Sequence, residues 1–110
     1  PLIMASQKGH VDVVKVLLEA RADKDKAMRG GRTPLIIASD QGHVDVVKVL
    51  VEAGADIDKA RDNGCTSLYI ASSNGHVEVV KVLAEARADK NKAADGGWTP
   101  LIRASRRGRV

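Results

Sequence analysis

The sequence predicts an all-α repeat solenoid, a stack of helix–turn–helix units joined by hairpin-like loops. The segment GRTPLIIAS at residues 31–39 returns as GCTSLYIAS at 64–72 and as GWTPLIRAS at 97–105, so each copy starts 33 residues after the last. A second segment, VDVVKVLVEA at 44–53, has nearly identical copies one period before and one period after it. A constant period over the whole chain is typical of stacked supersecondary units, whereas a catalytic motif rarely needs several copies.

The first helix of each unit is predicted to begin at the Thr-Pro pair. Thr33 can accept a hydrogen bond from a first-turn amide, and Pro34 suits the first helical position, where its missing N–H would have no intrahelical partner. Residues 35–38 continue the helix, and Gly42 supplies the left-handed conformation that often ends one. Equivalent positions across the period are Pro1, Pro34, Ser67 and Pro100 at the start and Gly9, Gly42, Gly75 and Gly108 at the end.

Residues 44–53 are predicted to form the second helix. Val44, Val47 and Val51, with Val46 and Leu50 beside them, make a broad apolar stripe, and charged residues occupy the opposite face. After Gly54, the polar stretch 55–66 suits an extended loop with a tight turn at residues 62–64. Neither helix can bury its stripe alone, so neighbouring copies must stack to form a continuous core.

These motifs resemble the ankyrin repeat. The resemblance rests on G-x-T-P-L-x-x-A and G-H-V-x-V-V-K-V-L in constant register over all 110 residues. It implies L-shaped units of two antiparallel helices and a projecting hairpin, and a role in binding other proteins. The expected units are repeat 1 at 1–27 with a loop to 33, repeat 2 at 34–66, repeat 3 at 67–99 and a partial repeat 4 at 100–110.

The chain departs from the family pattern at several positions. Ser67 replaces the Pro, and Arg21 and Arg87 replace the Gly that ends the second helix and survives only as Gly54. A non-glycine residue in that left-handed conformation costs roughly 1 kcal/mol. At the position where the family usually has His, this chain has Ile3, Ile36, Tyr69 and Ile102. At the position of the usual second Ala of the first helix, it has Ser6, Ser39, Ser72 and Ser105. These departures place local stability in doubt, but not the fold.

Composition and charge argue against several classes of partner. Residues 1–99 carry 14 Lys or Arg and 14 Asp or Glu, so the net charge of +4 comes from the last eleven residues. This body lacks the basic stripe that phosphate binding needs, and Tyr69 and Trp98 are the only aromatic residues available for base stacking. The terminal arginines either bind an acidic partner or solvate a helix. No apolar run is long enough to insert into a membrane.

Residues whose side chains could bind a metal or act in catalysis are better explained by structural roles. His10, His43 and His76 recur once per repeat without a second clustered ligand, which favours a structural role over a metal site. The pairs Asp23/Asp25, Asp56/Asp58 and Asp89/Asn91 alternate with lysines and suit solvated loop charges better than a calcium site. The single Cys65 lacks a sequence-adjacent His and is typical of a reducing, intracellular and cytoplasmic environment. We predict a non-enzyme with no cofactor, metal or small-molecule substrate.

The positions that differ between repeats predict where a protein partner binds. Scaffold positions barely change, whereas the residue before the capping Thr is Arg32, Cys65 or Trp98. The resemblance implies that such positions line the concave face, and Trp98 near Arg32 and Arg103 is the first choice of anchor. The alternative is that variation marks relaxed solvent positions. The predicted partner-binding residues are Gln7, Lys8, Arg29, Arg32, Asp40, Gln41, Asp62, Asn63, Cys65, Tyr69, Ser73, Asn74, Asp95, Trp98, Arg103, Arg106 and Arg107.

The ends of the chain suggest a second function class. Terminal repeats of a solenoid normally carry polar outer faces, and neither end of this sequence shows one. We therefore expect the chain to be part of a longer array, or its ends to pack on another chain. An architectural element that associates end to end is the alternative to a partner-binding scaffold.

Overall fold

The computed structural model describes the backbone of residues 1–95 and the side chains of residues 1–87. Over this range the chain forms paired helices separated by long loops, which confirms the predicted α solenoid. The first helices of the three repeats pack on one another in sequence, and the second helices form a parallel row behind them. The helices are α1 (Leu2–Lys8), α2 (Val11–Glu19), α3 (Pro34–Gln41), α4 (Val44–Glu52), α5 (Ser67–Ser73) and α6 (Val77–Asp95).

The predicted bounds of the first helix of repeat 2 are confirmed, and the second helix ends at Glu52, one residue before its predicted end. The Thr33 hydroxyl accepts a hydrogen bond from the Ile36 amide at 3.2 Å, and Pro34 occupies the first helical turn of α3. Gly42 ends that helix with φ of 77°. Thr66 caps α5 in the same way, with 3.2 Å from its hydroxyl to the Tyr69 amide. A local capping signal is thus sufficient to place these short helices.

The core lies between successive repeats. Leu35, Val46, Val47 and Leu50 of repeat 2 are at most 1% exposed, as the apolar stripe predicts. Val79 and Leu83 of α6 extend the same core. Because the helices of one repeat are packed on both sides by other repeats, stacking buries the stripe that an isolated unit would leave in water.

Histidines connect the repeats. The His43 ring donates from Nε2 to the carbonyl of Gln7 at 2.9 Å, and His76 donates to the carbonyl of Asp40 at 2.9 Å. The donor assignment follows from the carbonyl, which can only accept. Each bond joins the start of a second helix to the end of the preceding first helix, one repeat back. His43 and His76 are therefore structural, as predicted.

The long loops are joined by aspartates. The Asp25 carboxylate accepts from the Asp56 amide at 2.9 Å, and Lys59 donates to the Asp25 carbonyl at 3.0 Å. The Asp23 carboxylate accepts from the Asp25 backbone amide at 3.0 Å, and the Asp56 carboxylate accepts from the Asp58 backbone amide at the same distance. These carboxylates hold loop geometry, which is a more specific role than the predicted solvated charge.

The tips of the loops are hairpin-like. Single antiparallel bridges pair Met28 with Arg32 and Ala60 with Thr66, and no longer strand forms within residues 1–95. The predicted turn after Arg61 is present, with the Gly64 amide donating to the Arg61 carbonyl at 2.8 Å. The two tips are connected because the Asp62 amide donates to the Gly30 carbonyl at 2.9 Å.

The expected end of the second helix in repeat 3 is wrong. Arg21 does take the left-handed conformation, with φ of 64°, but Arg87 does not, and α6 continues to Asp95. Asp89, Asn91 and Asp95 are therefore helical and not part of a loop and turn. The extension is rich in alanine, the strongest helix former, and lacks a glycine stop. In repeat 1 the competing loop is held by repeat 2, through Asp25.

Replacing a buried serine of a first helix by alanine is expected to stabilise the protein. Ser39 is fully buried and its hydroxyl has no hydrogen-bond partner, whereas Ser72 occupies the same repeat position and is exposed. Ser39→Ala should raise the free energy of unfolding by about 1 to 2 kcal/mol, because it removes an unpaired buried hydroxyl and improves helix propensity. Urea denaturation measures this, and Ser72→Ala should gain only the propensity part, about 0.5 kcal/mol. Equal gains would show that the Ser39 hydroxyl is satisfied in solution.

Candidate functional site

The inner face of the stack is the side formed by the first helices α1, α3 and α5 together with the loop tips. Between them lies a groove, which we call the inner cleft. The same repeated geometry positions each contributing side chain, because caps fix the helices and the aspartate contacts fix the loops. The lining residues of the inner cleft are Gln7, Met28, Arg32, Ile36, Ile37, Asp40, Gln41, Arg61 and Ile70.

The structure brings four of the sequence-predicted residues into this one cleft. They come from two repeats: Gln7 from repeat 1, Arg32 from the adjoining loop, and Asp40 and Gln41 from repeat 2. The other described candidates lie outside the lining of the cleft. Of these, Lys8, Arg29, Asp62, Asn63, Tyr69, Ser73 and Asn74 are exposed and Cys65 is half-buried.

Several predicted residues also have structural roles. The side-chain amide of Asn74 donates to Asp40, at 2.7 Å to its carboxylate and 3.2 Å to its backbone carbonyl. The Asn63 side chain accepts from the Cys65 amide at 3.1 Å, which is the usual role of asparagine in a turn. Variation between repeats therefore marks structural positions as well as accessible ones.

Five of the predicted residues carry no side-chain geometry. Asp95 is the last residue of α6, and its side chain is not described. Trp98, Arg103, Arg106 and Arg107 lie outside the described residues.

Sequence reasoning missed the apolar half of the inner cleft. Ile36 and Ile37 are 1% and 6% exposed, and Ile70 is 8% exposed, so their apolar character alone indicates core. Their position beside the cleft becomes visible only when α3 and α5 are stacked. Arg61 was missed for another reason, although a signal existed: its position is Met28 in repeat 1 and Ala94 in repeat 3.

The cationic side chains near the cleft have no acidic partner among the residues that the structure describes. The ion pairs found among the described side chains are Lys81 with Glu78 at 3.5 Å and Arg87 with Asp58 at 2.6 Å. Within the described part of the chain, Arg32 donates only to the Met28 sulfur, at 3.7 Å. The Arg61 Nε is buried and has no acceptor in the range that the structure describes. The loop side of the cleft is therefore electropositive, while the Asp40 carboxylate on the helix side is already engaged.

The first repeat leaves a second apolar surface at the end of the stack. A cleft of about 350 Å³ there is lined mainly by apolar residues such as Leu2, Ile3 and Leu17. Val13 and Val16 of α2 are 48% and 62% exposed, whereas Val46, which is equivalent to Val13, is fully buried. We call this surface the end face.

The described residues contain a free thiol, but no metal-binding cluster and no membrane-spanning helix. Among the described side chains, those of residues 1–87, no three His, Cys, Asp or Glu are grouped so that they could hold a metal ion. Cys65 is a free, half-buried thiol. No helix in that range has the length and hydropathy that crossing a bilayer requires.

Comparison with known proteins supports the geometry. A family model of ankyrin repeats, spanning three copies, matches residues 1–61 and again residues 54–110. A search of the curated proteins gave no significant match. Ankyrin repeats are in general protein–protein interaction modules, and the family is typically a non-catalytic scaffold. With its whole length matched and its helices stacked as that family requires, the chain belongs to the ankyrin-repeat family.

Proposed function

We propose that this chain is a non-catalytic scaffold that binds a partner protein through its inner face. The observation that carries the proposal is the convergence of variable side chains from different repeats on the inner cleft, over a backbone whose contacts repeat. A rigid scaffold that presents variable side chains is suited to recognition.

The chemistry of the inner face fits a protein interface. Isoleucine side chains line the cleft, and Arg32, Gln41 and other polar groups surround them. Interfaces commonly combine an apolar centre with a polar rim, and Arg and Tyr are frequent anchors. Tyr69, which is 62% exposed on α5, extends the face beyond the cleft. Trp98 and the terminal arginines remain part of the proposed surface.

Affinity capture from a lysate of the source tests the proposal. The bait is the whole chain, beside an inner-face variant with Arg32→Ala, Gln41→Ala and Tyr69→Ala. The control variant has three changes on the exposed side of α4: Asp45→Ala, Lys48→Ala and Glu52→Ala. A protein held by the parent and by the control, but lost by the inner-face variant, is the expected result. Loss through the α4 changes alone would contradict it.

The end face supports an architectural alternative. Exposed valines and an apolar cleft at the end of the stack resemble the surface that repeat 2 buries against repeat 1, so another repeat or a second copy of the chain fits there. Sedimentation at increasing protein concentration tests this function. Association that Val16→Lys abolishes, and that the inner-face variant retains, would favour end-to-end assembly. A monomer throughout would count against self-association.

A further inference from the structure

We propose that the inner cleft receives a carboxylate side chain from an acidic segment of a partner protein. The inference rests on the proposed function and adds the chemistry of the partner. It follows from two properties of the cleft: a small free space with a mainly polar lining, and a loop side whose guanidinium groups have no acidic partner among the described residues.

The floor of the cleft is built from aliphatic side chains of adjacent repeats. Ile37 of α3 and Ile70 of α5 are largely buried, and Met28 of the first loop is 39% exposed beside them. Met is flexible and can repack around different shapes. Only about 50 Å³ of free space remains beside them and the exposed lining is mainly polar, so the cleft has room for a carboxylate group but not for a large apolar side chain.

The loop side supplies the orientation. Among the described residues Arg32 has only a thioether as acceptor, and sulfur is a weak one. Arg61 has a buried Nε without an acceptor, so this side chain gains a hydrogen bond by turning Nε toward an oxygen in the cleft. A carboxylate accepts two parallel bonds from a guanidinium, which is the strongest pairing available to these groups.

The other charges around the cleft do not supply that carboxylate. Asp40 lines the opposite side and its carboxylate accepts from Asn74 at 2.7 Å. Asp62 lies next to Arg61 in the chain, yet neither Arg61 nor Arg29 forms an ion pair among the residues that the structure describes. The unbalanced positive charge therefore favours an acidic segment over a basic one.

Selection from a library of random short peptides tests the inference, with the whole chain as target. Enriched peptides are synthesised, and their dissociation constants are measured at physiological ionic strength. The expected peptides are rich in Asp or Glu. Arg61→Met should weaken them by about tenfold or more, as expected for loss of a charged hydrogen bond. This variant copies Met28, the residue at the same position in repeat 1.

The controls separate the partner's chemistry from the binding face. Lys48→Glu, on the exposed side of α4, should leave binding within about twofold, since screening weakens distant charges. Arg32→Ala is a second cleft variant, and circular dichroism checks the fold of each.

Enriched peptides without acidic residues that still need Arg32, Gln41 and Tyr69 would overturn the inference and leave the proposed function intact. Peptides insensitive to all inner-face changes, or no enrichment, would overturn both. Saturable binding of a single-stranded oligonucleotide that is lost in Arg61→Met would also overturn it.

Discussion

Gly42→Ala is expected to lower the free energy of unfolding by about 2 to 3 kcal/mol, which is a large effect for one methyl group. The backbone at Gly42 has φ of 77°, where a side chain costs roughly 1 kcal/mol. A Cβ there would also lie 2.8 Å from the His76 ring, too close for an ordinary contact. The ring would have to move and weaken its bond to the Asp40 carbonyl.

Gly75→Ala is the matched control for that measurement. Gly75 has the same repeat position and φ of 73°, and a Cβ on it would meet no atom of the described residues within 4 Å. Gly75→Ala should lower the free energy of unfolding only by the cost of a side chain in the left-handed backbone conformation, about 1 kcal/mol. In a His76→Ala background, the cost of Gly42→Ala should fall to that value. Equal costs for the two glycines in the parent chain would show that the His76 contact contributes nothing.

Val46→Ala should cost about 2 kcal/mol, because Val46 is fully buried between repeats and its truncation leaves a cavity. Val13 has the same position and the same neighbours in sequence, but it faces the open end of the stack and is 48% exposed. Val13→Ala should cost no more than about 0.5 kcal/mol. The comparison separates the effect of the stacked neighbour from that of the residue itself.

Urea denaturation of both variants provides the measurement, with two spectroscopic probes, because repeat arrays can unfold in steps. If both valines cost the same, the apolar stripe is stabilised within its own repeat, and the stacking account of the core is wrong. If Val13→Ala costs more than Val46→Ala, the end face is covered in solution. That outcome would favour the architectural function over an isolated scaffold.

The parts of the fold that follow local rules could be predicted from the sequence. The 33-residue period, the Thr33 cap and the glycine exit at Gly42 each depend on residues close in the chain. The burial of the valine stripe could also be predicted, because it requires only an apolar helix face and a neighbouring repeat that packs against it. Arg21 was correctly predicted in the left-handed conformation.

Features that depend on a neighbouring repeat could not be predicted in the same way. Arg21 and Arg87 occupy the same repeat position, but the loop after Arg21 is fastened to the following loop through Asp25, whereas α6 continues past Arg87 to Asp95. The helix therefore ends in one repeat and continues in the other. The inner cleft was missed in part for a similar reason. Ile37 and Ile70 have the character of core residues, and only stacking shows that they also line a groove.

Hydrogen–deuterium exchange of the chain, alone and with its captured partner protein, tests the central claim most directly. If the inner face binds, protection should concentrate in the loop tips at 28–32 and 61–65 and in the cleft-lining part of α3. The exposed side of α4 should be unchanged. Protection confined to α2 and α4, or to the end face around Val13 and Val16, would contradict the account and place recognition elsewhere on the stack.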